Sequence, residues 1–509
     1  MQIWIRRCAL LLLPLGFLAV MVAAPLLSLA FYDGEGAWAE VVADDYMRLR
    51  LGWTVAQAVL TCVLVTALGV PAAWVLARMD FAGRRTVLRL LMLPFVMPTL
   101  VAGMGVLALF GAHGMLAAGW QDTPWLLIYG NVFFNLPVLV RSAYQGFVRV
   151  PQARLLSAQS LGADAWRRFV WVEWPVVRAW VAGGACLVFL YCFSGFGLAL
   201  LLGGERFATV EVEIYRLVAY ELDMARASVL VWLVLAVTAA AGGLYAYWSK
   251  RVAVDKSVSP LPPRAPIWAW EKWLTATVLT MLAVCCLLPL AAVWLKAVSA
   301  GSSWAALLEA QTWTAVWNTI RFSAAAVAAA TVLGVLYAAA ARQMAWLRAL
   351  MFLPFMVSPV CIAFGVLLLY PQWTASLWLL TATYALLAYP FVAKDVLAAW
   401  DGLPKDYTAA ARTMGANGFQ TACYVTAPLL KPALRRGLTL ASATCIGEFA
   451  ATLFLSRPEW QTLTTLIYDY LGRAGADNYG RALVLTALLT ALALTAFLLV
   501  DEAEGQKAV

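Results

Sequence analysis

The chain has 509 residues, of which 64% are hydrophobic and only 12% charged, and its mean hydropathy is +0.81. Soluble domains carry about a quarter charged residues, so an ordinary water-soluble enzyme is excluded and a protein of the bilayer is implied. The net charge of +9 does not call for nucleic acid, because the basic residues lie between apolar runs, where the positive-inside rule puts them.

Crossing about 30 Å of hydrocarbon takes about 20 apolar residues. In chain order twelve runs meet that length: 8–30, 53–77, 86–110, 124–146, 177–202, 228–248, 273–296, 316–341, 348–370, 376–399, 432–455 and 480–500. The expected fold is an all-α integral membrane protein of about twelve transmembrane helices. The first run follows Arg6 and Arg7 and is longer than a signal-peptide core of about 7–15 residues, so it reads as a retained anchor. Arg78, Arg84, Arg85 and Arg89, then Arg149, Arg154, Arg167 and Arg168, then Lys250, Arg251, Lys256, Arg264 and Lys272 all fall on the side of Arg6 and Arg7 if the spans alternate. Asp33, Glu35, Glu40, Asp44 and Asp45 fall opposite. Both termini are therefore expected in the cytoplasm. The stretch from Lys250 to Arg264, with Pro260, Pro262 and Pro263, has no apolar periodicity and reads as a linker. Residues 1–249 then form a first half of six spans, 250–272 a cytoplasmic linker and 273–509 a second half.

The two halves repeat one another. Pro151-Gln-Ala-Arg-Leu-Leu-Ser-Ala-Gln-Ser-Leu-Gly162-Ala leads to Pro175, and Pro404-Lys-Asp-Tyr-Thr-Ala-Ala-Ala-Arg-Thr-Met-Gly415-Ala leads to Pro428. Gly415 follows Gly162 by 253 residues, and Pro428 follows Pro175 by the same 253. Pro137 and Pro390, Phe196 and Phe449, and Ile214-Tyr215 and Ile467-Tyr468 keep that offset. Earlier in each half, Leu93-Pro94-Phe95 and Gly105 recur 260 residues on, and Leu68-Gly69-Val70 recurs 265 residues on. With six spans each, the halves enter the membrane in the same sense and form parallel repeats, with a pathway expected at their interface.

Each duplicated loop is a polar island in an apolar chain. Helix formers such as Ala158, and Ala410 with Ala411, lead into Gly162 or Gly415, which can end a helix at positive φ. A second short helix follows, and the proline opens the next membrane helix, where its missing N–H costs little. At these residues the chain resembles the cytoplasmic coupling motif of binding-protein-dependent ATP-binding-cassette importer permeases: Glu-Ala-Ala, three residues, Gly, nine residues, Ile, one residue, Leu-Pro. Both copies keep the spacing of thirteen from glycine to proline, and Val172 and Val425 take the Ile place. Leu156 and Ala409 stand at the Glu place, and Trp174 and Ala427 at the Leu place. The stretches Cys192-Phe-Ser-Gly-Phe-Gly and Thr209-Val-Glu-Val-Glu-Ile-Tyr215 are most similar to the fused thiamine type of permease, with the ferric iron type as the alternative.

The chain has no phosphate-binding G-x-x-x-x-G-K-[ST] loop, so it is not expected to hydrolyse ATP by that route. The resemblance implies the missing partners: a dimer of a separate ATPase on the cytoplasmic side, a periplasmic substrate-binding protein, and a small-molecule substrate, for which thiamine is favoured. It implies a multi-pass location in a bacterial inner membrane. In that reading the ATPase-coupling residues are Ala158, Gly162, Ala163 and Pro175 in the first loop, and Ala410, Ala411, Gly415, Ala416 and Pro428 in the second. Ser194, Gly195, Phe196, Glu448 and Phe449 are candidates for the pathway or gate. Glu448 draws attention because a carboxylate within a span is costly unless it faces protein or water. Glu211 and Glu213 lie in the outer segment after the fifth run, as residues that meet the binding protein or as a solvated loop. The nine cysteines show no metal-ligand spacing and His113 stands alone, so no metal or cofactor is expected. A secondary transporter driven by an ion gradient is the alternative from another class; it would call for more charge within the spans.

Overall fold

The computed structural model describes residues 12–32, 36–116, 119–120, 122–251, 261–351, 357–374 and 376–505. Arg6, Arg7, Asp33, Glu35, Lys256, Pro260 and the Leu353–Phe355 copy of the repeat signature lie outside them. In the first half the main helices are α1 (Leu12–Ala30), α2 (Asp45–Arg78), α3 (Arg84–Val96), α4 (Thr99–Phe110), α5 (Pro124–Val148), α6 (Gln152–Ser160), α7 (Ala165–Phe193), α8 (Phe196–Leu202), α9 (Val210–Arg216) and α10 (Met224–Arg251). In the second half they are α11 (Ala269–Val298), α12 (Ala310–Gln343), α13 (Pro359–Leu369), α14 (Leu377–Gly402), α15 (Lys405–Thr413), α16 (Ala427–Ile446), α17 (Ala450–Leu455), α18 (Leu463–Gly472) and α19 (Ala476–Gly505). The architecture is all-α, as a bilayer protein without a closed barrel requires.

The expected architecture of about twelve transmembrane helices is met by a chain in which several of the apolar runs are bent or divided. Among the described residues nine helices are long and apolar enough to cross a membrane, or ten if α3 and α4 count as one span. These two meet at an angle of 101°, at Met97 and Pro98, because proline cannot continue the hydrogen-bond ladder. The run 177–202 divides at Ser194 and Gly195 between α7 and α8, and 432–455 divides at Gly447 and Glu448 between α16 and α17. Helix α16 also begins with Lys431, Arg435 and Arg436, which take it out of the apolar class. Counting apolar residues cannot register bends of this kind.

The contacts divide the chain into two compact units, Met1–Asp33 with Val96–Pro98 and Ala300–Val509, and Gly34–Phe95 with Thr99–Ser299. These packing units do not coincide with the repeat halves, because the first span of each half packs with the other half. In one unit α1 lies on α13, and a Cβ on Gly365 would stand 3.1 Å from the carbonyl oxygen of Pro25. In the other unit α11 lies on α4, and a Cβ on Gly105 would stand 2.6 Å from the carbonyl oxygen of Pro289. Gly105 and Gly365 are repeat equivalents, so the same close backbone approach is built twice with exchanged first spans. Small residues permit such approaches between membrane helices, where burial from water cannot drive association.

The equivalence extends into each core. In one unit Gly69 of α2 and Gly184 of α7 both lie against Leu139 of α5, where an added Cβ would meet side-chain atoms at 2.9 and 3.1 Å. In the other, Gly334 of α12 and Gly437 of α16 lie against Val392 of α14, at 2.8 Å in each case. Thr54 of α2 accepts from the backbone N–H of Val210 at 2.9 Å, and Thr319 of α12 accepts from that of Leu463 at 2.9 Å. Four π turns, Ala19–Ala23, Phe169–Glu173, Ala283–Leu287 and Ala422–Thr426, each end two residues before a proline: Pro25, Pro175, Pro289 and Pro428. Proline lacks the N–H of the normal ladder, and the turn before it widens to bonds five residues back.

Candidate functional site

The duplicated loops fold alike from their local sequence. In the first, α6 ends at Gly162 with φ of +76°, and Ala163 N–H donates to the Ala158 carbonyl while Gly162 N–H donates to that of Gln159, each at 3.0 Å. In the second, α15 ends at Gly415 with φ of +84°, and Ala416 donates to Ala411 and Gly415 to Arg412, each at 3.0 Å. This paired six-to-one and five-to-two closure requires glycine at the left-handed position. It gives Gly162 and Gly415 their local structural reason, and it engages Ala158, Ala163, Ala411 and Ala416 through their backbones alone. Asp164 and Asn417 then cap the next turn through side-chain oxygens at 2.7 and 2.9 Å. Ala411 is buried, Gly162, Ala410, Gly415, Pro175 and Pro428 are exposed, and Ala158, Ala163 and Ala416 are half-buried.

What composition could not reveal is the exposed apolar face of these loops. Leu161, Trp166 and Trp171 in the first, and Met414, Phe419 and Tyr424 in the second, are between 71% and 87% exposed. Each member of the first set lies 253 residues before its counterpart. Leu161 and Met414 immediately precede the glycines, at the apex of each turn. The repeat offset applied to exposed-size residues could have found these pairs.

The first loop is also tied to its neighbours by charge. Glu173, the last residue of the π turn in α7, is 4% exposed. It accepts from Arg78 Nε at 2.8 Å and from Trp74 Nε1 at 2.9 Å, and Arg78 Nη2 pairs with it at 2.7 Å. Arg78 Nη2 also donates to the Phe147 carbonyl at 3.1 Å. The end of α2, the end of α5 and the loop exit therefore meet at one buried pair.

The candidate gate residues sit at the two helix breaks. Phe196 and Phe449 are buried, each against a tyrosine: Phe196 and Tyr215 have ring centroids 5.6 Å apart, Phe449 and Tyr468 5.4 Å. Ser194 donates its hydroxyl to the Leu190 carbonyl at 2.6 Å, which ends α7. The Glu448 carboxylate accepts from the Ala451 N–H at 2.9 Å, so it closes the start of α17. Tyr384 and Thr452 are hydrogen-bonded beside this break. The structure thus separates Glu448 from its repeat equivalent Gly195: one break is capped by a side chain and the other is not.

Glu211 and Glu213 are not in a solvated loop. Both are buried in α9, where Tyr46 donates to Glu213 at 3.0 Å and Arg50 and Arg216 stand 3.8 Å from it. The solvated-loop alternative fails: two glutamates next to an apolar run look like a surface segment until α2 supplies Arg50. Among the described residues no group of three or more His, Cys, Asp or Glu side chains forms a metal site.

Comparison with known proteins agrees with the duplicated architecture. The family of binding-protein-dependent transport system inner membrane components matches the chain twice, at residues 66–254 and 330–502. The thiamine transport system permease protein of Salmonella typhimurium is 28% identical over 519 residues, spanning 97% of this chain and 94% of that protein. Its counterpart from Escherichia coli is 28% identical, with 92% of each chain covered. The Haemophilus influenzae counterpart is 26% identical over 90% of this chain and 89% of its own length.

Proposed function

Because the chain belongs to the family of binding-protein-dependent transport system inner membrane components, we propose that it is a permease whose two loops receive a separate ATPase dimer. It forms the membrane pathway of an ATP-binding-cassette importer and is not itself the ATPase. A substrate-binding protein delivers the cargo on the opposite face. The cargo we propose is thiamine, in keeping with the full-length relatives named above; ferric iron has no comparable support, and the ion-gradient reading has none from the family. The duplicated loops and both termini lie in the cytoplasm in this reading.

The observation that carries the docking reading is the repeated apolar face. Three large side chains per loop stand exposed beside a glycine-closed turn, and their spacing is the same in both copies. Large exposed apolar groups on a rigid turn are typical anchors of a protein interface. Closure of an ATPase dimer would pull the two loops together, and the parallel repeats would rock from an inward-facing to an outward-facing state. The breaks at Ser194–Phe196 and Glu448–Phe449 are the proposed gate, since a broken helix leaves backbone polar groups at membrane depth only where protein or water can satisfy them. Glu448 serves that gate by capping α17.

The test is uptake of labelled thiamine by cells lacking their own transporter, supplied with this chain, its cognate ATPase and its binding protein. Uptake that disappears with a hydrolysis-dead ATPase is the expected result. ATP-coupled assembly without thiamine uptake would refute the cargo, and uptake independent of the ATPase would refute the class.

A further inference from the structure

The last part of the linker is tied to the first half. Arg264 pairs with Met79 in a parallel bridge: Arg264 N–H donates to the Arg78 carbonyl at 3.0 Å, and Asp80 N–H donates to the Arg264 carbonyl at 2.7 Å. The Arg264 guanidinium holds Glu271, at the start of α11, through contacts of 2.5 and 3.2 Å. Trp270 stacks on Trp74 with ring centroids 6.1 Å apart and an interplanar angle of 27°. Trp74 and Arg78 are the two residues that grip Glu173 at the exit of the first loop. Two short routes therefore run from the linker exit to the first loop, one through the backbone of Arg78 and one through Trp74.

The repeat equivalents of this grip are different residues. Thr426 stands 253 residues after Glu173, and Gln343 stands 265 residues after Arg78. The Thr426 hydroxyl donates to the Thr421 carbonyl at 3.4 Å, within its own segment. In that half the exposed cluster of Arg342, Arg348 and Asp401 joins α12 to the end of α14 instead, and half-exposed pairs hold their elements only weakly.

We infer that the linker exit is a latch that positions the first ATPase-docking loop through Arg78 and Glu173, so that the two loops are held with unequal stiffness. This rests on the docking function proposed above. Arg78, Glu173, Trp74 and Arg264 are positioning residues: none of them lies on the exposed apolar face. The fused chain thereby gains something that separate half-subunits would lack, a mechanical connection from the start of the second half to the first coupling loop.

The experiment is amide hydrogen exchange on the full chain in lipid nanodiscs, without the ATPase, comparing 152–168 with 405–421. Amides of the first loop are expected to exchange about tenfold more slowly, which corresponds to about 1.4 kcal/mol of additional local protection. Arg264→Pro with Trp270→Ala, which removes the N–H donated to the Arg78 carbonyl and the ring stacked on Trp74, should erase that difference although neither residue touches either loop, whereas Arg264→Ala keeps both routes and should leave most of it. The paired variant Arg78→Gln with Glu173→Thr, which gives the first loop the second loop's residues, should also erase it. Should that pair fail to insert, Arg264→Pro with Trp270→Ala carries the test alone. Equal protection of both loops in the unmodified protein, or a difference that survives Arg264→Pro with Trp270→Ala, would overturn the latch. Because this exchange is read without the ATPase, it is independent of whether the loops dock it; the docking proposal fails separately if Gly415→Ala transports normally.

Discussion

Gly415→Ala is the sharpest probe of the proposed coupling turn. The residue has φ of +84°, and a Cβ built there would meet nothing within 4 Å. The substitution therefore removes no packing and introduces no clash inside the protein. Its whole intramolecular effect is to place an L side chain in the left-handed region, at about 1–2 kcal/mol. That cost shifts the population of the native turn by a factor of about 5–30, with Met414 and the apolar face displaced whenever the turn relaxes. Uptake of labelled thiamine in proteoliposomes containing the ATPase and binding protein should fall by up to that factor, while insertion and thermal stability of the permease change little. Gly415→Asn is the control, because asparagine tolerates the left-handed region. It should retain more coupling than alanine despite its larger side chain. Unchanged uptake in Gly415→Ala would refute the reasoning, and greater damage from asparagine than from alanine would move the cause from backbone geometry to contact with the ATPase.

The remaining predictions concern other links of the same argument. Met414→Ala and Leu161→Ala should each weaken co-purification of the ATPase, since burying a side chain of this size contributes about 1.5–3 kcal/mol; undiminished co-purification in both would remove the apolar face from the docking surface. Glu448→Ala deletes the carboxylate that accepts from Ala451 and should destabilise the protein by about 1 kcal/mol, as loss of an N-terminal cap does. Glu448→Gln keeps an acceptor and should transport nearly normally, so equal loss of uptake in both variants would show that the charge itself serves the pathway. Gly437→Ala would place a Cβ 2.8 Å from the Val392 backbone, an overpacking worth about 1–3 kcal/mol; thermal unfolding in detergent measures it, and an unshifted midpoint would contradict the close approach of α14 and α16.

Membrane class, helical content and duplication were legible in the sequence because each depends on local or translational regularities. Hydrocarbon thickness dictates the length of an apolar run, and a glycine required at positive φ stays in register with its neighbours when the loop is copied, as Gly162 and Gly415 show. The six-to-one hydrogen bonds that fold back to the carbonyls of Ala158 and Ala411 were not legible in the spacing. Tertiary structure alone decided the rest. Which unit receives α1 and which receives α11 depends on contacts of Pro25 with Gly365 and of Pro289 with Gly105, pairs far apart in the chain. Whether a glutamate is surface or core depends on who faces it: Glu213 became buried because α2 brings Arg50 and Tyr46 and Glu173 because Arg78 and Trp74 meet it, while Glu448 stays half-buried with its carboxylate held by an N–H of the helix break. Apolar periodicity registers how much surface must leave water, but it carries no record of which distant side chain neutralises a buried charge.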